Sequence, residues 1–213
     1  MSESLIYESS KSRIYMHEES EWGIPIALKV LNIEYPSPGD IEDFYNEFEI
    51  IEDLKLSHGR NVLKRSRDQN RHAMYLEWYD GATVKNVFKN KQGDLVDFLH
   101  IAIATSEALH ELHVHNIIHK DLNPHNVLVN LQKHEIKIID FGISTKFDLK
   151  QHHTQNPEHL DGTLAYISPE QTGRMNRKVD YRTDLYSLGV MLYEMVTGKL
   201  PFNSEDALEL VHC

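Results

Sequence analysis

The amino-acid sequence predicts an α+β fold, with a strand-rich small lobe over residues 1–80 and a helical larger lobe over residues 81–213. Three observations predict it. Up to Asp80 the apolar residues come in short alternating runs, the period of half-buried strands. From about Asp94 they recur at three- and four-residue steps over long stretches, the period of helices. The chain has 213 residues, 40% apolar and 26% charged, which suits one domain or two small ones with a substantial core.

In chain order, SLIYESSKSRIYMHEES and GIPIALKVLNIE read as strands, with Gly23 and Pro25 near the turn between them. YPSPGD, from Tyr35 to Asp40, is loop chemistry, and Asp40 is the expected cap of the next segment. In that segment Phe44, Phe48, Ile51 and Leu54 mark an amphipathic helix. NVLKRSRDQ and HAMYLEWYD are two further strands joined through Gln69 to Arg71, and the lobes part near Asp80 and Gly81. A cleft between such lobes is a common place for a ligand. DLVDFLHIAIATSEALHELHVHN has apolar residues on most faces, as expected of a helix buried in a larger domain. VLVNLQKHEIKIIDFG reads as a hairpin. TDLYSLGVMLYEMVTG is a helix apolar nearly all round, ending at Gly198 before Pro201 and expected to be covered on all sides.

Charge narrows the function. With 22 Lys and Arg against 33 Asp and Glu the formal charge is −11, which disfavours nucleic acid and anionic membrane as partners. The single cysteine, Cys213, excludes an internal disulfide framework and suits a reducing compartment. No apolar run approaches the roughly 18 residues of a spanning helix, and MSESLIYESS lacks the layout of a secretory signal. A cytoplasmic protein is expected.

The chemistry concentrates in HKDLNPHNVLV and IIDFG, where Asp121, Asn126 and Asp140 sit in loops beside short apolar strands. Any one of them reads most simply as a turn former. Together, at spacings of five and fourteen residues, they offer the hard oxygen ligands that Mg²⁺ requires and a group able to orient a hydroxyl. Phosphoryl transfer needs just such positioning and charge neutralisation.

These residues resemble the eukaryotic-type protein kinase family, and the resemblance runs from about Leu5 to the end of the chain. It implies a two-lobed protein-kinase-like fold, truncated after the long central helix of the second lobe. His119-Lys120-Asp121 with Asn126 looks like the catalytic loop, and Asp140-Phe141-Gly142 like the metal-binding motif. The resemblance implies Asp121 as catalytic base, Asn126 and Asp140 as metal ligands, and ATP with Mg²⁺ as cofactors. Lys29, in Ala27-Leu28-Lys29, would reach the α- and β-phosphates, paired with a helical glutamate. Glu47, followed by Phe48, Ile50, Ile51 and Leu54, is chosen over Glu49 for that pair. Glu77-Trp78-Tyr79-Asp80 would form the hinge, with Glu77 and Tyr79 against the nucleotide and Leu76 at the back of the adenine pocket. Ile14, Ala27 and Leu128 would sandwich the adenine ring, although plain core packing is an even alternative for each.

Ser168-Pro169-Glu170 and the Asp184-Leu185-Tyr186-Ser187-Leu188-Gly189 segment extend the match, with Asp184 expected to hydrogen-bond catalytic-loop backbone. Gly162-Thr163 before Tyr166 implies a serine or threonine acceptor. The run GTLAYISPEQTGRMNRKVDYRTDLYSLGV, with HKDLNPHN, is similar to amino-terminal kinase domains of large bacterial multidomain sensors. Partners implied are a protein substrate or downstream sensor-kinase modules. The chain stops at Cys213, fifteen residues after Gly198, so a poorly stable fragment is expected, with Glu170 lacking an arginine partner.

Five positions depart from the family pattern. Tyr7, Ser9 and Ser12 stand at the three glycine positions of the phosphate-covering loop, where side chains hinder backbone approach but Ser9 and Ser12 can donate hydroxyl bonds. Lys120 replaces an arginine and loses its bidentate fork. Asn123 replaces a lysine and removes a positive charge. The leading expectation is a serine/threonine protein kinase. Its rivals are a nucleotide-sensing kinase-like module without turnover and a small-molecule phosphotransferase, the latter opposed by GTLAYISPE. Zinc on His110 and His113 is geometrically possible, but a solvated helix end is the preferred reading. His152 and His153 are expected in a polar part of the activation segment.

Overall fold

The computed structural model describes residues 3–18, 20–52, 54, 56–68, 71–89, 95–147, 163–173 and 177–202. The chain divides into two units, Met1–Asp80 and Gly81–Cys213.

Alternating apolar residues in the first unit build a five-stranded antiparallel sheet in the order β1-β2-β3-β5-β4. Its strands are β1 (Glu3–Glu8), β2 (Ser12–His17), β3 (Ile26–Leu31), β4 (Val62–Asp68) and β5 (Arg71–Glu77), with helix α1 (Pro38–Ile51) between β3 and β4. Register puts Ala27 opposite Met16 and Leu76, and Lys29 opposite Ile14 and Met74. The core joins Ala27, Met74 and Leu76 of the sheet to Phe44 and Phe48 of α1, with Ile14, Leu31, Tyr45, Val62 and Trp78 packed around them.

The start of α1 differs from expectation. Ser37, not Asp40, is the cap: its Oγ accepts the Asp40 N–H at 3.2 Å, and Asp40 Oδ2 accepts the Ser37 N–H at 2.9 Å. Pro38 fits the first helical position because its missing N–H would find no helical partner there. Bonds from the Ser37 hydroxyl and N–H hold the Asp40 carboxyl below its ordinary range. Leu54 lies beyond the end of α1, tied to Ile51 O at 3.0 Å.

The second unit contains β6 (Ala82–Thr83), α2 (Val84–Phe88), α3 (Leu95–Val114), β7 (Ile117–Ile118), β8 (Val127–Asn130), β9 (Glu135–Ile138), β10 (Thr145–Lys146) and α4 (Arg182–Thr197). β8 and β9 form the expected hairpin, with β6 added beside β8; β7 pairs with β10. α3 buries a stripe of Ile101, Ala108, Leu109 and Leu112, while Leu95, Val96, Leu99 and Ile103 stay exposed. α4 buries Leu188, Val190, Met191 and Met195, yet Leu185, Tyr193 and Val196 are exposed. Among the described residues α3 is not covered all round, although a helix buried in a larger domain was expected, and α4 also leaves one side uncovered. α4 stops at Gly198, whose φ of 70° suits a residue without Cβ and whose N–H reaches Glu194 O at 2.8 Å. Asn203 to Cys213, expected to contribute to core cover, lie outside the described residues. Among the described residues no helix is long and apolar enough to cross a membrane.

Candidate active site

In the first unit, the strand period puts Ala27 and Lys29 on one face of β3. Lys29 Nζ donates to Glu47 Oε2 at 2.7 Å, and Glu47 is 2% exposed. The selection of Glu47 over Glu49 has a helical cause. Glu47 lies among buried Phe44, Phe48, Ile50 and Ile51, while exposed Glu49 faces Arg65 Nη1 at 3.6 Å. Removing one partner of such a buried pair would leave an uncompensated charge.

The far end of β5 is gripped by the residues before β4. Glu77 N–H donates to Asn61 O at 2.9 Å, Asn61 Nδ2 to Glu77 Oε2 at 2.6 Å, and Arg60 Nε to Glu77 O at 2.9 Å. Leu76 is buried opposite Ala27, while Ile14 and Tyr79 are half-buried. Arg60 escaped the sequence reading because nothing in its neighbourhood marks it as buried.

The loop between β1 and β2 is closed by its own serine. Ser9 N–H donates to Ser12 O at 2.8 Å, and Ser9 Oγ accepts the Ser12 and Lys11 N–H groups at 3.0 and 3.3 Å. The Ser9 hydroxyl proton is directed at Ser12 O, 3.2 Å away, so Ser9 is already engaged as a donor. Asn32 Nδ2 holds Ser9 O at 2.9 Å.

In the second unit, the loop from Ile118 to Asn126 is held by the fully buried Asp184 at the start of α4. Asp184 accepts the backbone N–H groups of His119 at 3.0 Å and Lys120 at 2.8 Å, as expected, and also meets His113 Nε2 at 2.8 Å. His113 therefore has a structural partner, and among the described residues no group of three or more His, Cys, Asp or Glu could hold a metal. His119, buried against the Phe141 ring, accepts the Asp121 N–H at Nδ1, leaving its Nε2–H for Ile139 O at 3.2 Å. One ring thus ties the Asp121 loop to the strand before Asp140.

Asp121 is the centre of a dense network. Its Oδ1 accepts the Thr163 N–H at 2.8 Å and Asn123 Nδ2 at 3.2 Å; its Oδ2 accepts Asn126 Nδ2 at 3.0 Å. Asn123 also reaches Thr163 Oγ1 at 3.1 Å, so a neutral amide links Asp121 to the segment after it. Asn126 O accepts the Ile139 N–H at 3.0 Å, which fixes the chain immediately before Asp140. Lys120 and Asp140 have φ of 68° and 67°, a left-handed conformation that costs on the order of 1–3 kcal/mol and persists only where the surroundings enforce it.

The Asn126 amide nitrogen is committed to Asp121, so its carbonyl oxygen is the amide atom that could hold a cation, with the Asp140 carboxylate as a second candidate. Two protein oxygens suit Mg²⁺, which keeps several waters and is usually shared with substrate phosphates.

Downstream, Ser168 caps the turn Pro169–Thr172, and Glu170 Oε1 accepts Thr183 Oγ1 at 3.0 Å. Tyr166 OH donates to Glu194, which also receives Lys85 Nζ at 2.7 Å. Burial and the Glu194 carboxylate push the Tyr166 phenol well above its ordinary value. Leu128 is half-buried in β8. Gly162, His152 and His153 lie outside the described residues.

A strand-rich unit with a buried lysine–glutamate pair and a second unit with an Asp-Asn-Asp loop cluster define the protein kinase class. The chain belongs to that family: residues 5–212 match the protein kinase domain. A probable serine/threonine-protein kinase of Clostridium perfringens is 36% identical over 183 residues, which is 84% of this chain and 26% of that protein. Serine/threonine-protein kinase PrkC of Bacillus subtilis is 27% identical over 203 residues, 93% of this chain and 30% of that protein. Human myosin light chain kinase 3 is 30% identical over 206 residues, 94% of this chain and 24% of that protein. The chain thus spans less than a third of the length of each of these relatives.

Proposed function

We propose that this domain transfers the γ-phosphoryl group of Mg-ATP to a serine or threonine hydroxyl of a protein substrate. The observation that carries the reading is the Asp121 carboxylate, which accepts three hydrogen bonds from Thr163, Asn123 and Asn126. An ionised carboxylate has about four acceptor sites, and the three bonds it makes among the described residues leave room for an acceptor hydroxyl. Asp121 orients that hydroxyl and takes up its proton. Lys29, held by Glu47, binds the α- and β-phosphates. Ile14, Ala27, Leu76, Glu77 and Tyr79 contact the nucleobase, while Ser9 and Ser12 lie in the loop over the phosphates. Asn126 and Asp140 hold Mg²⁺, whose charge neutralises the phosphates. The HKDLNPHN and GTLAYISPE segments support a cytoplasmic input module of a bacterial signalling protein, with downstream sensor-kinase modules as further partners.

A nucleotide-sensing module without turnover is the second reading. It is favoured by the Ser9 turn, whose hydroxyl is spent within the loop, and by the neutral Asn123.

Full-length protein incubated with labelled ATP, Mg²⁺ and a generic protein substrate separates the two. We expect transfer by the wild type, none by Asp121→Asn, and an Mg·ATP thermal shift retained by Asp121→Asn but lost in Asp140→Ala. Wild-type turnover in Asp121→Asn would remove Asp121 as base. Binding without turnover in the wild type would establish the sensing module instead.

A further inference from the structure

Arg60 is a buried cation that the proposed chemistry does not use. It is 7% exposed, and it follows Gly59, where an added Cβ would come within 2.8 Å of the Leu56 side chain, so the chain makes a tight approach there. Burial pushes the guanidinium below its ordinary value, while the carboxylates of Glu47 and Glu77 draw it back up. Its Nε–H is directed at the end of β5, where it meets Glu77 O. An arginine remains protonated in such a place, and its bond to a neutral acceptor is charge-assisted.

The peptide unit between Glu77 and Trp78 is fixed at both ends. Its oxygen accepts Arg60 Nε–H at 2.9 Å, and its N–H donates to Pro25 O at 3.3 Å. Hydrogen bonds at the two ends of one amide polarise each other, so the Arg60 bond also strengthens the bond to Pro25. Rotating this peptide would break both bonds and exchange an acceptor for a donor at the end of β5. The exocyclic 6-amino group of adenine needs an acceptor; the 6-oxo group of guanine or hypoxanthine needs a donor. The Glu77 carbonyl has a second lone pair beyond the one that Arg60 occupies.

We infer that Arg60 is a positioning residue for base selection: it locks the Glu77–Trp78 peptide so that β5 presents a carbonyl, favouring 6-amino over 6-oxo purine nucleotides. This rests on the reading of Glu77 as a nucleobase contact.

The test is equilibrium titration of the full-length protein with ATP and with inosine triphosphate, both with Mg²⁺, for wild type, Arg60→Met, Arg60→Gln and Arg60→Lys. We expect the wild type to prefer ATP. Arg60→Met should weaken ATP binding about tenfold and inosine triphosphate binding less than about threefold, the loss expected for one charge-assisted bond. Arg60→Lys, which keeps a charged donor, should restore most of the preference. If Arg60→Met does not fold, Arg60→Gln against Arg60→Lys decides. An equal proportional loss for both nucleotides in the variants would reduce Arg60 to a packing role and overturn the inference. A wild type that binds both nucleotides equally would overturn it while leaving nucleotide binding intact. A wild type that binds neither would overturn nucleotide binding and the inference together.

Discussion

The loop between β1 and β2 and the loop between β7 and β8 are both fixed by hydrogen bonds, but the partners differ in kind. In the first, Ser9 bonds to Lys11 and Ser12, and Asn32 supplies its longer tie. In the second, the partners come from far along the chain: Asp184 from α4, Ile139 after β9, Thr163 and Gln171. Long-range partners can impose the left-handed Lys120, because Asp184 holds its N–H and Gln171 Nε2 its carbonyl, at 2.8 and 2.9 Å. The Ser9 turn has a single external hold among the described residues, Asn32, whose N–H and Nδ2 reach Lys11 O and Ser9 O at 2.8 and 2.9 Å. The second loop is preorganised by the fold, and the first mainly by its own sequence.

Asp184→Ala should break the comparison most severely. It leaves the His119 and Lys120 N–H groups buried without their acceptor, each worth about 1–3 kcal/mol, and releases His113. We expect a stability loss of about 3–5 kcal/mol in urea denaturation together with lost phosphoryl transfer. A loss below about 1 kcal/mol would show that the loop holds itself.

Ser9→Gly should act only locally. Loss of the hydroxyl costs the turn about 0.5–1.5 kcal/mol, and removing Cβ lets the backbone come nearer to the phosphates. Nucleotide affinity, measured by titration, should stay equal or rise. A tenfold weaker affinity would mean that the loop grips phosphate through its side chains.

The smallest effect is a pH slope of the first unit. Burial, and secondarily Arg67, pushes the β5 residue His72 below its ordinary value. The unfolded chain therefore takes up a proton more readily, so this contribution to stability is complete above pH about 6.5 and declines as pH falls toward the folded value. Stability measured between pH 7 and 5 should fall less in His72→Gln than in the wild type. Identical slopes would remove His72 from the linkage.

The sequence disclosed what periodicity and motif spacing encode. Phe44, Phe48 and Ile51 mark α1, and the apolar residues after Glu47 put that carboxylate on the buried face. Cap choice was less legible, because Ser37 and Asp40 are both good capping residues and only backbone angles separate them. The exposed side of α3 was misjudged since apolar character does not report what surrounds a helix. His113 looked like a solvated helix end because its partner, Asp184, lies 71 residues away. Arg60 gave no signal, since burial of a lone cation depends on tertiary neighbours. The two-residue strands β6, β7 and β10 are too short to show a period.

β1 is an edge strand whose six residues are all exposed, and Leu5, Ile6 and Tyr7 stand in its middle. Such an edge could template a strand from another molecule. Two features oppose that. The pairing with β2 slips between Leu5 and Tyr7, which spoils the flat ladder an incoming strand would need, and Glu3 and Glu8 place carboxylates at both ends. The irregularity beside the Ser9 turn thus also guards against intermolecular β-aggregation, a colloidal property that is decided at the rim of the sheet.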